Sequence, residues 1–438
     1  MELAWARFAF YMLLLGFTLN AFAAYSIGPV PIEWLSRLIF LGTATLMLLS
    51  GVMPRVPSFA SLHLLFYWAI LSVLASQFDN SLQVELPKLT TPYPIFVFLR
   101  FLNLLSSISV AYLAVVVIET YSLRKLVAFI IWLGTIVAVY AVYVYLAQLY
   151  GLPELLRSRG GTGGGAQATV FSYAFHRALG TFREPSHLAE WLLAPLFVSL
   201  AFRNRIMNPH TIAMTIAFLL TGSLAGVGGF VAGLGTAVFF ANPLRVKSWK
   251  AMAGVMAVLV AGLLIFSVVA AGTKIGVTSL PEVLGSRAGE ILFGSGIAGS
   301  NRGDIIRVAL QGDITAFGYG FGKAHLVLSE NYRHTVSEAT NLVLSFHSLY
   351  LHYLYANGVV GLGLLFVFIM TPIWMFWQLR LARFRAQLSY LVGGVAAYAT
   401  TNSLLLDELT PQFVIMAGLT IGIARMYERS IRAADKPG

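Results

Sequence analysis

AMAGVMAVLVAGLLIFSVVAAG, residues 251–272, carries no charged side chain. Coiled into a helix, about 22 residues cross a hydrocarbon core of about 30 Å. A soluble core does not need an apolar run of that length, whereas lipid does, because nothing in a bilayer hydrates a charge. The pattern recurs on both sides of this stretch. Apolar segments bounded by charge, Pro or Gly lie at 8–25, 34–52, 60–76, 93–118, 126–149, 188–202, 210–222, 226–241, 352–378, 388–405 and 410–425. The expected fold is therefore an all-α polytopic membrane protein with about twelve transmembrane helices, a single integral membrane domain over 1–438. Several segments between 188 and 241 are short for a full crossing. Residues 8–24 read as the first span and not as a signal peptide, since only Arg7 precedes them as a basic residue and further spans follow at once.

Composition agrees with that reading. Hydrophobic residues make up 58% of the chain and charged ones 11%, with a mean hydropathy of +0.79. A soluble domain carries roughly 25% charged residues. There is no cysteine, which excludes disulfides, thiolate catalysis and Cys-bound zinc. The net charge of +11 does not point to nucleic acid, because the two basic faces flank a membrane.

Lys and Arg in the short loops set the expected orientation. One set of alternate loops holds Arg55, then Arg124 and Lys125, then Arg203 and Arg205, then Arg245, Lys247 and Lys250, then Arg380, Arg383 and Arg385. The C-terminal tail adds Arg425, Arg429, Arg432 and Lys436. The opposite short loops carry Glu33, then Asp79 and Glu85 with Lys88, then Asp407 and Glu408. Both termini are expected in the cytoplasm, with the second set of loops facing outward.

Two outward segments are long, 150–187 and 273–346, and loops beyond about 15 residues are usually functional or disordered. Both are also basic. The first holds Arg157, Arg159, Arg177 and Arg183; the second holds Lys274, Arg287, Arg302, Arg307, Lys323 and Arg333 among several acids. Long loops escape the charge rule, which is one explanation. Another is an anionic ligand at the outer face, since Arg grips phosphate through a bidentate fork.

Four motifs stand in or beside these loops. His176-Arg177-Ala178-Leu179-Gly180-Thr181-Phe182-Arg183-Glu184-Pro185-Ser186-His187 leads into a helix, with Pro185 and Ser186 suited to its first turn. Cations at a helix N-terminus suit a phosphate, although a capped helix with a surface Arg183–Glu184 pair explains the same residues. Thr221-Gly222-Ser223 and the glycines that follow permit close helix packing. Asn301-Arg302-Gly303-Asp304-Ile305-Ile306-Arg307 opens an amphipathic helix, and Phe317-Gly318-Tyr319-Gly320 follows, where glycine allows positive φ and close backbone approach. Last, Phe346-His347-Ser348 meets a hydrophobic helix, with Gly358 and Gly361 farther along it. An imidazole at a membrane boundary serves either as an interfacial anchor or as a base near neutral pH.

In this order, the motifs resemble those of the O-antigen ligase and polymerase superfamily of bacterial membrane glycosyltransferases. The resemblance runs from Arg177 to Gly361. It rests most on His347, Ser348, Gly358 and Gly361, which are similar to the ligase spacing of His, a small polar residue, nine residues, Gly, two residues and a further small residue. The chain departs from the family at Ser223-Leu224, where an arginine often follows the serine, and Arg183-Glu184-Pro185-Ser186 is closer to the polymerases. The resemblance implies transfer of a glycan from undecaprenyl diphosphate to an acceptor sugar hydroxyl at the periplasmic face of the inner membrane. The acceptor is a second repeat unit or lipid A–core, and no metal or other cofactor takes part. It implies His347 as general base, with Arg177, Arg183, Glu184, Arg302 and Arg307 at the diphosphate and substrate. A transporter or flippase for lipid-linked sugars is the alternative, and it predicts charge near the middle of the spans instead of in the outer loops.

Overall fold

The computed structural model describes residues 2–28, 30–78, 92–155, 157–158, 177–203, 208–241, 302–312, 315–336, 344–378 and 385–434. Thirteen helices order the described residues: α1 (Glu2–Asn20), α2 (Ile32–Leu49), α3 (Ala60–Phe78), α4 (Tyr93–Val117), α5 (Leu123–Tyr150), α6 (Pro185–Phe202), α7 (Pro209–Leu220), α8 (Leu224–Ala241), α9 (Arg302–Gln311), α10 (Lys323–Val336), α11 (Leu349–Gln378), α12 (Arg385–Thr401) and α13 (Pro411–Ala434). A two-residue hairpin, β1 (Ser26–Ile27) with β2 (Val30–Pro31), turns the chain from α1 into α2. Every span expected from the sequence coincides with a helix except 251–272, which lies outside the described residues together with about half of the two long loops.

Among the described residues, seven stretches are long and apolar enough to cross a membrane, so the protein is membrane-embedded and all-α. One of them, Tyr93–Tyr150, is 58 residues long and comprises two helices. A π-helical turn over Ile118–Ser122 ends α4, and Ser122, with φ −164° and ψ 104°, caps α5 by accepting from the Lys125 amide at 3.3 Å. Helix α6 begins at Pro185, inside the loop expected to run to 187. Proline at the first helical position needs no hydrogen bond, and Glu184 before it is extended.

Lipid-facing and core-facing stripes separate along single helices. On α11, Val359, Val360, Phe366, Val367, Met370, Trp374 and Trp377 are exposed, while Leu365, Phe368, Ile369 and Phe376 are buried. That three-to-four spacing puts one face outward, and apolar exposure on this scale requires lipid. Between α8 and α12 the helices touch backbone to backbone. A Cβ on Gly233 would stand 2.5 Å from the Gly393 carbonyl, and one on Gly229 would stand 2.6 Å from the Ala397 carbonyl. The small-residue run beginning at Thr221 thus serves packing, as its composition suggested.

The bundle has two chemically distinct ends. At one, Arg425 and Arg429 of α13 meet Glu119, and Arg425 donates to the Arg55 carbonyl. At the other, the loop between α12 and α13, residues 402–410, is drawn in against the middle of α4 and the starts of α6 and α11. Ser107 donates to the Leu409 carbonyl at 3.0 Å, Thr410 to the Glu190 carboxylate at 2.6 Å, and the Leu349 amide to the Asn402 carbonyl at 2.8 Å.

Candidate functional site

The site forms around residues 344–349, where the chain enters α11. His347 has a φ of 50°, and it is the one non-glycine residue with positive φ among the described residues. Left-handed backbone at a residue with a Cβ costs free energy and persists only when its surroundings impose it. They do so here at almost every residue. The Leu344 amide donates to Ser329 Oγ at 2.9 Å, and the Leu344 carbonyl accepts from His325 Nδ1 at 3.0 Å. Ser345 Oγ donates to Asp407 at 2.5 Å, and the His347 backbone amide donates to the same carboxylate. Ser348 Oγ accepts from the Leu351 amide at 3.4 Å in the first turn of α11. The His347 side chain is left half-buried at the rim of this framework.

Two histidines back the loop. His325 of α10 and His352 of α11 have ring centroids 4.6 Å apart, and both are buried. His352 donates from Nδ1 to the Asp407 carbonyl at 2.5 Å, as His325 does to Leu344. A carbonyl can only accept, so each ring carries its proton on Nδ1 and keeps a lone pair on Nε2. Both Nε2 atoms are buried without a hydrogen-bond partner among the described residues. Burial, with Arg100 and His352 nearby, holds His325 well below the usual imidazole range and therefore neutral.

The acids of the loop between α12 and α13 behave differently from each other. Burial pushes Asp407 up to about 6, with Glu408 adding to the rise, against the lowering effects of Ser345, Arg100 and the His347 amide. Burial would raise Glu408 too, but Arg100 and Arg37 outweigh it and hold its carboxyl below the ordinary range. Glu408 is ion-paired with Arg100 and accepts from the Asn103 amide, both on α4.

The other expected residues take separate places. Arg177 is buried and donates from Nε to the Thr221 carbonyl at 2.6 Å, which joins two of the sequence motifs. The segment after it is fastened to the end of α1: Thr181 donates to the Ala21 carbonyl, and the Ala24 amide donates to the Thr181 carbonyl at 3.0 Å. Arg183 and Glu184 are half-buried just before α6, and Ser186 donates to Glu184 at 3.3 Å. Arg302 starts α9, with its side chain outside the described residues, and Arg307 on the same helix is exposed. The structure therefore groups His347 with Asp407, and Arg177 with Thr221, in two knots at the same end of the bundle.

The glycine motifs have packing causes. Gly318 has a φ of 76°, and a Cβ there would stand 2.5 Å from the Ala356 carbonyl of α11. Backbone bonds from Tyr319 and Gly320 to the Tyr355 and Ala356 carbonyls, at 2.7 and 2.8 Å, complete the contact. The close approach is thus to α11. Gly358 answers it with a φ of 65°, since a Cβ would stand 2.0 Å from the Ala316 carbonyl, and α11 is broken at this residue. Beside this joint lies a half-open cleft of about 230 Å³, lined by Ser76, Thr315, Phe317, Tyr319 and Lys323 among others. Phe317 stacks on Trp68 at 5.1 Å and is half exposed.

Sequence reasoning did not place Arg37, Arg100, Asp407, Glu408, His325 or His352 in the site. The available signal was weak, since Arg37 and Arg100 lie near the starts of apolar spans, where a charged side chain can reach the interface. The partner is remote, since Arg100 and Glu408 are 308 residues apart. Set against known proteins, the chain matches no family model and no curated sequence.

Proposed function

We propose that the chain is a metal-independent membrane glycosyltransferase of the O-antigen ligase or polymerase type, with about twelve spans and both termini in the cytoplasm. It transfers glycan from undecaprenyl diphosphate to an acceptor sugar hydroxyl at the periplasmic face of the inner membrane. The observation that carries this reading is His347, held in left-handed backbone by the Ser345–Asp407 latch with its ring at the rim of the helical bundle. Strain imposed by several independent bonds at one ionisable residue is a mark of a working site. The grouping of Arg55, Arg425 and Arg429 at the opposite end supports the orientation, because the charge rule assigns all three to the cytoplasm.

In this mechanism His347 takes the proton from the acceptor hydroxyl as its oxygen attacks the anomeric carbon. The bond from that carbon to the diphosphate oxygen breaks, and undecaprenyl diphosphate leaves with the electron pair. Guanidinium groups stabilise the charge that develops on it, and Arg177, Arg183, Arg302 and Arg307 are the candidates, with Glu184 orienting its neighbours. The proton then passes from His347 to water.

The charged residues that lie within spans also support surface chemistry over translocation. Arg37, Arg100 and Glu190 each lie within about two turns of a helix start at the His347 end, not at midplane. The test is transfer by the purified protein in nanodiscs from a lipid-linked glycan. His347→Ala at normal yield and melting temperature is expected to abolish transfer. Full activity in that variant would overturn the assignment, and uptake of lipid-linked sugar without transfer would favour a flippase.

A further inference from the structure

Arg37 lies on α2, and α2 packs on α4, which carries Arg100. From the helix starts at Ile32 and Tyr93, a rise of 1.5 Å per residue puts the two at similar depths, roughly 8 and 10 Å in. Each guanidinium lies over an aromatic face, Arg37 over Trp34 at 4.2 Å and Arg100 over Phe96 at 4.9 Å. Such stacking orients the planar fork. Their partners are unequal. Arg100 is ion-paired with Glu408, which also accepts from Asn103. Arg37 acts on the same carboxylate through its field, yet it makes no ion pair among the described residues, and its Nε is buried without a hydrogen-bond partner.

Two cations and an amide donor thus act on one carboxylate, which binds Arg100 and Asn103 and leaves Arg37 Nε without a hydrogen bond among the described residues. A buried guanidinium nitrogen left unmatched costs free energy, and Arg37 Nε is one. Asp407 is the other acid near Arg100; it accepts from Ser345 at Oδ2 and from the His347 amide, and its Oδ1 makes no hydrogen bond among the described residues. Arg100 and Glu408 keep 24% and 21% of their side chains exposed, so the pair is not sealed inside the bundle.

We propose that Arg37 and Arg100 form an oxyanion seat, held in this structure by the Glu408 carboxylate, and that a phosphate or diphosphate group occupies it by displacing Glu408. A diphosphate brings more charge and more oxygens than a carboxylate, enough to engage both forks and the Asn103 amide at once. Glu408 keeps the arginines paired when the seat is empty. As the seat for the donor's diphosphate this rests on the glycosyltransferase reading and adds Arg37 and Arg100 to the arginines named there; as an oxyanion site it stands alone.

The experiment is a titration of inorganic pyrophosphate into the full-length protein in nanodiscs, repeated with farnesyl diphosphate incorporated in the bilayer. Glu408→Gln is expected to tighten pyrophosphate binding about tenfold, and Arg37→Ala, which leaves the Arg100–Glu408 pair in place, to weaken it about tenfold. If Glu408→Gln does not assemble, Glu408→Asp keeps the charge, shortens its reach to Arg100 and is expected to tighten binding in the same direction. Affinity unchanged by both Arg37→Ala and the Glu408 variant overturns the proposal, as does absence of binding in all forms. Tighter binding of farnesyl diphosphate than of pyrophosphate identifies a lipid headgroup as the occupant, and equal binding identifies the free oxyanion. Pyrophosphate binding that persists in a protein without glycan transfer upholds the seat and removes the transferase reading. Transfer that survives in Arg37→Ala, with no pyrophosphate binding in any form, does the reverse.

Discussion

At the Glu119 end of the bundle, one carboxylate with a 4% exposed side chain meets two guanidiniums, Arg425 at 2.7 Å and Arg429 at 2.9 Å. At the His347 end, two carboxylates, two arginines and two buried histidines share one neighbourhood, and several of their polar atoms are left over: Arg37 Nε, Asn103 Oδ1, Asp407 Oδ1 and both histidine Nε2 atoms. The first arrangement is ion-paired at both carboxylate oxygens, although Oε1 makes no hydrogen bond, and it ties α13 to the π-turn after α4. The second holds polar capacity that the fold itself does not use, next to a strained residue. Buried polar groups that stay unmatched lower stability, so the cluster at the His347 end is where water or a ligand would find partners.

The sharpest way to break this contrast is to remove one residue at each end and ask which property fails. His347→Ala is expected to lower glycan transfer by at least about a hundredfold, the low end for a general base, with the melting temperature nearly unchanged because its ring is only half-buried. Quantified transfer in nanodiscs, set beside a thermal melt of the same preparation, reads both. A large loss of stability with activity per folded molecule intact would make the positive φ of His347 a folding device.

Glu119→Ala is expected to do the opposite. It strands Arg425, whose side chain is only 14% exposed, and should destabilise the protein by about 2 kcal/mol. That is below the range for fully buried pairs, because Arg429 is 59% exposed and rejoins water. Transfer per folded molecule should stay at the wild-type level. A variant that melts normally but loses transfer would show that the two ends are coupled through α4 and α13.

The span pattern was legible because lipid punishes charge strongly enough to write itself into composition, and helices stand at all of the expected segments that are described. The His347 motif was legible in outline. Its spacing to Gly358 became intelligible only once the 315–318 segment was seen crossing α11, where no side chain fits. Arg37 and Arg100 look in the sequence like ordinary charges near helix ends. What sets them apart is a shared carboxylate more than 300 residues away from Arg100, and no local periodicity encodes such a pairing. His325 and His352 were hidden for the same reason, since each binds a carbonyl from another segment. Conversely, Arg177 stands out by its motif, but nothing local signals that its guanidinium binds the Thr221 carbonyl.

The smallest expected effect tests whether the Asp407 latch is strained in the way that its surroundings imply. Its carboxyl is raised from an ordinary 3.8 to about 6, chiefly by burial. The folded protein therefore binds this proton more tightly than the unfolded chain does, and the group favours folding when protonated. That contribution is complete below about 4 and is lost as the pH rises through about 6. Asp407→Asn removes the titration while keeping an acceptor oxygen for Ser345 and the His347 amide. Relative to that variant, the wild type should gain on the order of 1 kcal/mol of stability as the pH falls from 7.5 to 5. The quantity to follow is the difference in melting temperature between the two proteins across that range, because other groups titrate in both and cancel. A difference that does not change with pH would mean that Asp407 is no more costly to ionise than a solvated carboxylate. The His347 end would then be as well matched as the Glu119 end at this residue, and the contrast between them would rest on Arg37, Asn103 and the two histidines alone.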